Sequence, residues 1–157
     1  MKFCLLVVGK TASSFMSKGI EEYKSRVNRY VGFEIISISD LKSTRGLTEM
    51  QQKEKEGEML LASLTPSDTV ILLDEKGREY TSREFADFQT SMMNRGVKRL
   101  VYVIGGPYGF SQKVYDRADG KISLSRMTFS HEMARLFFCE QLYRAMTILR
   151  GEPYHHD

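Results

Sequence analysis

Residues 99–110 read RLVYVIGGPYGF, and the fold turns on this stretch. Leu100, Val101, Tyr102, Val103 and Ile104 form an unbroken apolar run, most of it β-branched. A strand without polar alternation is one covered on both faces, as in a parallel sheet. Gly105 and Gly106 follow, then Pro107 and Gly109, so the chain turns sharply where its backbone can approach a ligand with no Cβ atoms in the way. In open α/β sheets ligands lie outside the carboxyl ends of the strands, which is where this turn falls. By itself a glycine cluster is only a tight strand-to-helix connection. A second unusual stretch, residues 122–131, gives it more weight.

Outward from this strand, the chain alternates between two periods. Phe3–Val8 reads as a first strand, and Met16, Ile20, Tyr23, Val27 and Tyr30 recur at helical spacing behind Ser13 or Ser14 as N-cap. Phe33–Ile38 is a second strand. Asp40–Leu47 is polar, with Lys42, Arg45 and Gly46, and reads as a mobile loop or solvated connector, a place where phosphates could be touched. Thr48 and Gln51 fit a capping box for a helix that Pro66 ends, and Thr81 and Glu84 fit another for a helix burying Phe85, Phe88 and Met92. Between them Thr69–Leu73 is a buried strand closing on Asp74 and the turn Glu75-Lys76-Gly77. After the glycine turn, Ser111 caps a short helix through Ala118, Lys121–Leu124 is a last strand, and a helix runs from His131 to Leu149. This order predicts one α/β domain over residues 1–157, a mostly parallel sheet with helices on both faces.

Composition narrows the class further. A chain of 157 residues is long enough for a real core, and 23 basic against 20 acidic residues leave a formal charge of only +3. That balance is compatible with nucleic acid without requiring it. No run is apolar enough to span a membrane and no secretory leader precedes the first strand. Cys4 and Cys139 fall in apolar settings and read as reduced core thiols of a cytoplasmic protein. Gly9-Lys10-Thr11 invites a phosphate-loop reading, but that motif needs a glycine where Cys4 stands.

The last helix carries two apolar stripes, one of Phe138, Leu142, Ala145 and Leu149, the other of Leu136, Cys139, Tyr143 and Met146. Glu140, Gln141 and Arg144 are left on a narrow polar side. So wide an arc predicts cover from a second subunit, hence a homodimer.

Residues 122–131 read ISLSRMTFSH, a strand leading into a polar turn with Met127, Thr128 and Ser130 exposed, then a histidine at a helix start. His131, His155 and His156 lack the companions a metal site needs, so no metal is expected. Neither G-x-S-x-G nor G-x-G-x-x-G occurs, which argues against a nucleophile elbow and a conventional dinucleotide fold.

Four ordered motifs, VIGGPYGF at 103–110, SLSRMTFSH at 123–131, EQLYRA at 140–145 and EPYH at 152–155, together resemble one small bacterial family. KEGE at 55–58 and LLD at 72–74 extend the likeness over the whole chain. The family is that of the SPOUT-class methyltransferases acting on N3 of a pseudouridine in large-subunit ribosomal RNA. The resemblance implies a C-terminal trefoil knot, a homodimer, ribosomal RNA or the assembled ribosome as partner, and S-adenosylmethionine as cofactor. It implies that the cofactor is held by Leu73, by Gly105, and by Leu124, Ser125, Arg126, Met127, Thr128 and Phe129. Ser130 stands where the family commonly has proline, which bears on the stiffness of that turn.

Methylating an imide nitrogen requires that its proton be lost, so a base or an anion-stabilising cation is needed. His131, Arg144, Tyr154 and His155 are the candidates for this catalytic work. His155 could accept a proton near neutral pH, whereas Arg144 could only hold an anionic edge or a phosphate. His131 reads equally as a polar residue capping a helix start, and the tail as a solvated terminus that only the resemblance raises to a site. Two other functions stay open on the residues alone: a domain binding adenine nucleotides, and a non-catalytic ribosome-binding module. Titration with S-adenosylmethionine separates the three.

Overall fold

The computed structural model describes residues 1–41 and 43–157. Lys42, in the polar loop before the second helix, lies outside the described residues. Strands and helices alternate: β1 Lys2–Val8, α1 Ser14–Asn28, β2 Gly32–Ile38, α2 Glu49–Ala62, β3 Thr69–Glu79, α3 Ser82–Asn94, β4 Arg99–Ile104, α4 Gln112–Arg117, β5 Gly120–Ser123 and α5 His131–Leu149. The strands form one sheet in the order β2-β1-β4-β3-β5, and every pairing between them is parallel.

β4 occupies the centre. It pairs with β1 from Lys2↔Arg99 to Val7↔Ile104 and with β3 from Thr69↔Leu100 to Leu73↔Ile104. Side chains alternate across the sheet. Leu100, Tyr102 and Ile104 join Phe3, Leu5 and Val7 in the core beneath α1, α3 and α5, while Val101 and Val103 join Cys4, Leu6, Val70 and Leu72 beneath α2 and α4. A strand with a neighbour on each edge and helices on each face has no room for an unpaired polar group. Tyr102 brings its own partner: its buried hydroxyl donates to Gln89 Oε1 at 2.8 Å, and Gln89 Nε2 donates to the Phe85 carbonyl at 3.1 Å.

Helix starts follow the local signals. Ser13 (not Ser14), Thr48, Thr81, Ser111 and Ser130 are the N-caps, and both capping boxes form. Several boundaries differ from the sequence reading: β1, β2 and β4 each begin one residue earlier, at Lys2, Gly32 and Arg99, and α4 ends at Arg117. α2 stops at Ala62, four residues ahead of Pro66. β5 begins at Gly120 and ends before Leu124. β3 does not stop at Asp74 but continues to Glu79, with a register shift between Leu73 and Arg78 where it pairs with β5.

α5 also departs from expectation. Phe138, Cys139, Leu142, Ala145 and Met146 are all buried in the same cluster as Ile20 and Val27 of α1 and Phe85, Ala86 and Met92 of α3. The helix packs against both neighbours, so most of both apolar stripes finds cover inside the chain. The width of the arc therefore does not itself require a second subunit. Only Phe137 and Leu149 of this helix remain as exposed large hydrophobics. Cys4 and Cys139 are free and buried, and burial pushes their thiols up to about 11 and about 12.

The Tyr102–Gln89 pair stiffens the strand that carries the glycine turn. Tyr102→Phe and Gln89→Leu each leave one buried polar group unpaired, at a cost of about 1–3 kcal/mol. The double variant is expected to lose clearly less than the sum of the two in urea unfolding. Strict additivity would show that the pair is not coupled.

Candidate functional site

The carboxyl ends of β3, β4 and β5 converge on one cleft of about 470 Å³. Its walls come from three segments: Leu73 and Asp74 in β3, where its pairing with β4 ends, the turn from Gly105 to Phe110 after β4, and the loop after β5. Of the residues expected to hold a cofactor, Leu73, Gly105, Leu124, Ser125, Met127, Thr128 and Phe129 line this cleft. Arg126 does not. Its side chain is exposed and its Nε lies 3.4 Å from Glu79 Oε1.

Each wall is fixed locally. Gly109 takes the positive φ of +82°, and its N–H donates to the Gly106 carbonyl at 3.1 Å to close the turn. Gly105 does not take the left-handed backbone conformation, so sterics and not φ require glycine there. What a Cβ at Gly105 would meet is the Phe110 ring at 3.0 Å and the Gly109 carbonyl oxygen at 3.3 Å. The loop after β5 is held by its own hydroxyls: Ser123 Oγ donates to the Ser125 carbonyl and Met127 N–H donates to Ser125 Oγ, both at 2.9 Å. Asp74 accepts from Tyr115 Oη and, at 2.9 Å, from the Lys76 amide. Burial and then this bond hold the Tyr115 phenol well above its usual range, so it stays a donor.

His131 stands exposed at the cleft rim as the first residue of α5. Ser130, in the place of the family's proline, caps the helix by accepting from Met133 N–H at 3.2 Å. Two residues that the sequence reading passed over fasten this helix start. Glu132 Oε1 accepts from the amides of Ala12 and Ser13 at 2.6 and 3.0 Å. Arg135, almost fully buried, donates to Thr11 Oγ1 at 3.0 Å and to the Val8 carbonyl at 2.8 Å. Their spacing of three along one helix face was the available signal.

Arg144, Tyr154 and His155 assemble elsewhere. The chain leaves α5 through Gly151, with φ +67°, and folds back so that Tyr154 Oη donates to Glu140 Oε1 at 2.9 Å. The same Glu140 oxygen accepts from Arg144. Arg144 also donates to His155 Nδ1 at 3.1 Å, and His155 Nε2 lies 2.8 Å from Asp157 Oδ1. A guanidinium is always a donor, so this network assigns the proton to Nε2 and leaves neither ring nitrogen free. Arg83 of α3 anchors the end of the tail through Asp157 at 2.6 Å. Burial, with the bonds to Tyr23 and Glu140, pushes the Tyr154 phenol well up. Thirteen residues separate His131 from Arg144, which at the rise of a helix is about 20 Å. Within one chain the structure thus brings His131 to the cleft and keeps the other three candidates away from it.

Among the described residues no group of three or more His, Cys, Asp or Glu is placed to hold a metal ion, and no helix is long and apolar enough to cross a membrane.

This sheet, with its cleft at three strand ends, defines a class. The family model described as "Predicted SPOUT methyltransferase" matches residues 1–155, and the chain belongs to that family. It is 55% identical over 157 residues, the full length of both chains, to the ribosomal RNA large subunit methyltransferase H of Parabacteroides distasonis. It is 54% identical over 156 residues, 99% of each chain, to the protein of that name from Christiangramia forsetii. Among solved structures, a probable methylase family protein from Haemophilus influenzae shares the fold with a TM-score of 0.54, covering 99% of this chain and 70% of that one at 12% identity.

Glu140 is the hub of the tail cluster. Glu140→Ala is expected to release the tail, so that residues 152–157 exchange amide hydrogens far faster while the unfolding free energy falls by only about 1–2 kcal/mol. Unchanged exchange in the tail would show that Arg83 and Arg144 hold it without Glu140.

Proposed function

We propose that this protein is a methyltransferase of large-subunit ribosomal RNA that methylates N3 of a pseudouridine, using S-adenosylmethionine and working as a homodimer. The observation that carries this reading is the split of the candidate groups: a cleft at three strand ends in one place, and Arg144, Tyr154 and His155 clustered about 20 Å along the same helix. A dimer unites the two halves if the tail of one subunit meets the cleft of the other.

The cleft fits the cofactor. Gly105 and Gly106 let backbone form its wall, and a Cβ on Gly105 would press on Phe110 and narrow it. Backbone amides and carbonyls with apolar Leu73, Leu124 and Phe129 suit a neutral ribose and adenine. The cofactor supplies a methyl group already activated on a sulfonium. The protein's part is to align that group with the target nitrogen and to manage one proton. His131, exposed at the rim with its helix start pinned by Glu132 and Arg135, is positioned to take the imide proton. Tyr154, held as a phenol, and Arg144 are donors suited to the oxygens flanking the nitrogen as it becomes anionic. His155, with both ring nitrogens engaged, orients Arg144 in this arrangement rather than acting as a base.

The trefoil knot is inferred from membership of the family, and the paired stretch of β3 and β5 is tightly packed. There β3 runs past its register shift, and a Cβ on Gly77 would lie 2.6 Å from the Ile122 amide nitrogen. A ribosomal substrate places the protein in the cytoplasm, in keeping with two free thiols. With a formal charge of +3, phosphate contacts alone give weak, salt-sensitive binding, so the assembled ribosome is the better substrate than a short RNA.

Gly105→Val is expected to weaken S-adenosylmethionine binding at least about tenfold in calorimetry while the protein stays folded. Undiminished binding removes this turn from the site. The tail is tested in mixed dimers. A chain lacking Tyr154–Asp157 is combined with a full-length chain carrying Gly105→Val, each homodimer being inactive on ribosomes. Completion across the interface predicts that the mixture regains activity through one working site per heterodimer. If heterodimers stay inactive while wild-type chains mixed identically remain active, the tail does not act in trans.

A further inference from the structure

Glu56 of α2 is buried, with only 4% of its surface exposed, and it lies behind the glycine turn. Its Oε2 accepts from Gln52 Nε2 at 3.3 Å, while Oε1 is enclosed without any hydrogen-bond partner. The carboxylate presses on Gly106 so closely that a Cβ on that glycine would overlap it. The next residue, Gly57, is packed against Ser111 Oγ just as tightly. Two adjacent glycine contacts therefore clamp α2 to the turn, and they place an acid one backbone thickness from the cleft that Gly106 lines. A buried polar atom left unpaired costs stability and calls for a reason. Helix packing alone would be better served by an apolar side chain.

Of the two acids that line the cleft, Asp74 is already engaged by Tyr115 and the Lys76 amide, and Glu75 is exposed to solvent. The titratable groups that face Glu56 from outside its own helix are Asp40, after β2, and His131, at the start of α5. Resting on the cofactor reading above, we propose that Glu56 is the counter-charge for the cofactor's sulfonium, and that it makes the site prefer the cationic methyl donor over its neutral demethylated product. Charge attraction through one layer of backbone in a water-poor wall is strong enough to matter. It also needs no direct contact, so an enclosed oxygen can exert it. Burial pushes the Glu56 carboxyl above its ordinary range, opposed by Gln52, and a cation entering the cleft draws it back toward the ionised form. After transfer the attraction vanishes with the charge, which favours release of product.

The test compares affinities for S-adenosylmethionine and S-adenosylhomocysteine by calorimetry in the full-length protein. Glu56→Gln keeps the shape and removes the charge. It is expected to cut the preference for the methyl donor by about tenfold, with S-adenosylhomocysteine binding held within about twofold. Glu56→Asp, which restores the charge, should recover part of that preference. Should Glu56→Gln fail to fold, Gln52→Leu serves instead, because losing the Gln52 bond disfavours the ionised carboxylate and should lower the preference about threefold. Equal weakening of both ligands, or an unchanged ratio, overturns the inference and leaves Glu56 a support for the turn. Wild-type protein that binds neither ligand overturns the cofactor reading instead, so the two failures are distinguishable.

Discussion

Everything else in the structure hangs on the double enclosure of β4. Paired on both edges and roofed on both faces, it can end only in backbone that turns without side chains, and the glycines of 105–109 supply that backbone. Parallel pairing then sets the end of β3 beside this turn, with β5 beyond it, so three loops meet at one edge of the sheet. The cleft is thus a consequence of strand order. Its apolar walls continue the core, and its polar groups are those that strand ends leave free.

α5 performs two separate tasks at its two ends. Its first turn is fastened to the β1–α1 loop by Glu132 and Arg135, which gives His131 a fixed base. Its last turns carry Glu140 and Arg144, around which the tail folds. The buried middle, packed between α1 and α3, holds the two ends at a set separation. The helix thus acts as a rigid rod that keeps the cleft-side group and the tail cluster about 20 Å apart.

Local signals in the sequence were read well where neighbours in the chain decide the outcome. Ser13, Thr48, Thr81, Ser111 and Ser130 cap helices because their hydroxyls reach amides three residues on. The glycine turn and the ISLSRMTFSH stretch, where strand periodicity breaks into polar turns, line one cleft in the structure. What stayed hidden depends on distant partners. Glu75-Lys76-Gly77 has the composition of a turn, and only pairing with Ile122 and Ser123 extends β3 through it. The apolar width of α5 was visible, but not that α1 and α3 would cover it. Glu56 looks like one more charge on an acidic and basic helix; its burial is decided by a glycine fifty residues away.

The two thiols carry a consequence of their own. Cys4 lies in the layer beneath α2 and α4, and Cys139 in the layer beneath α1, α3 and α5. Both are fully enclosed and, with their pKa raised by burial, are weaker acids than an ordinary thiol, so neither reacts until its own layer parts. The molecule therefore contains a native reporter on each side of its sheet. Thiol labelling during partial unfolding distinguishes detachment of the α2–α4 side, which backs the glycine turn, from loss of the three-helix side that carries α5.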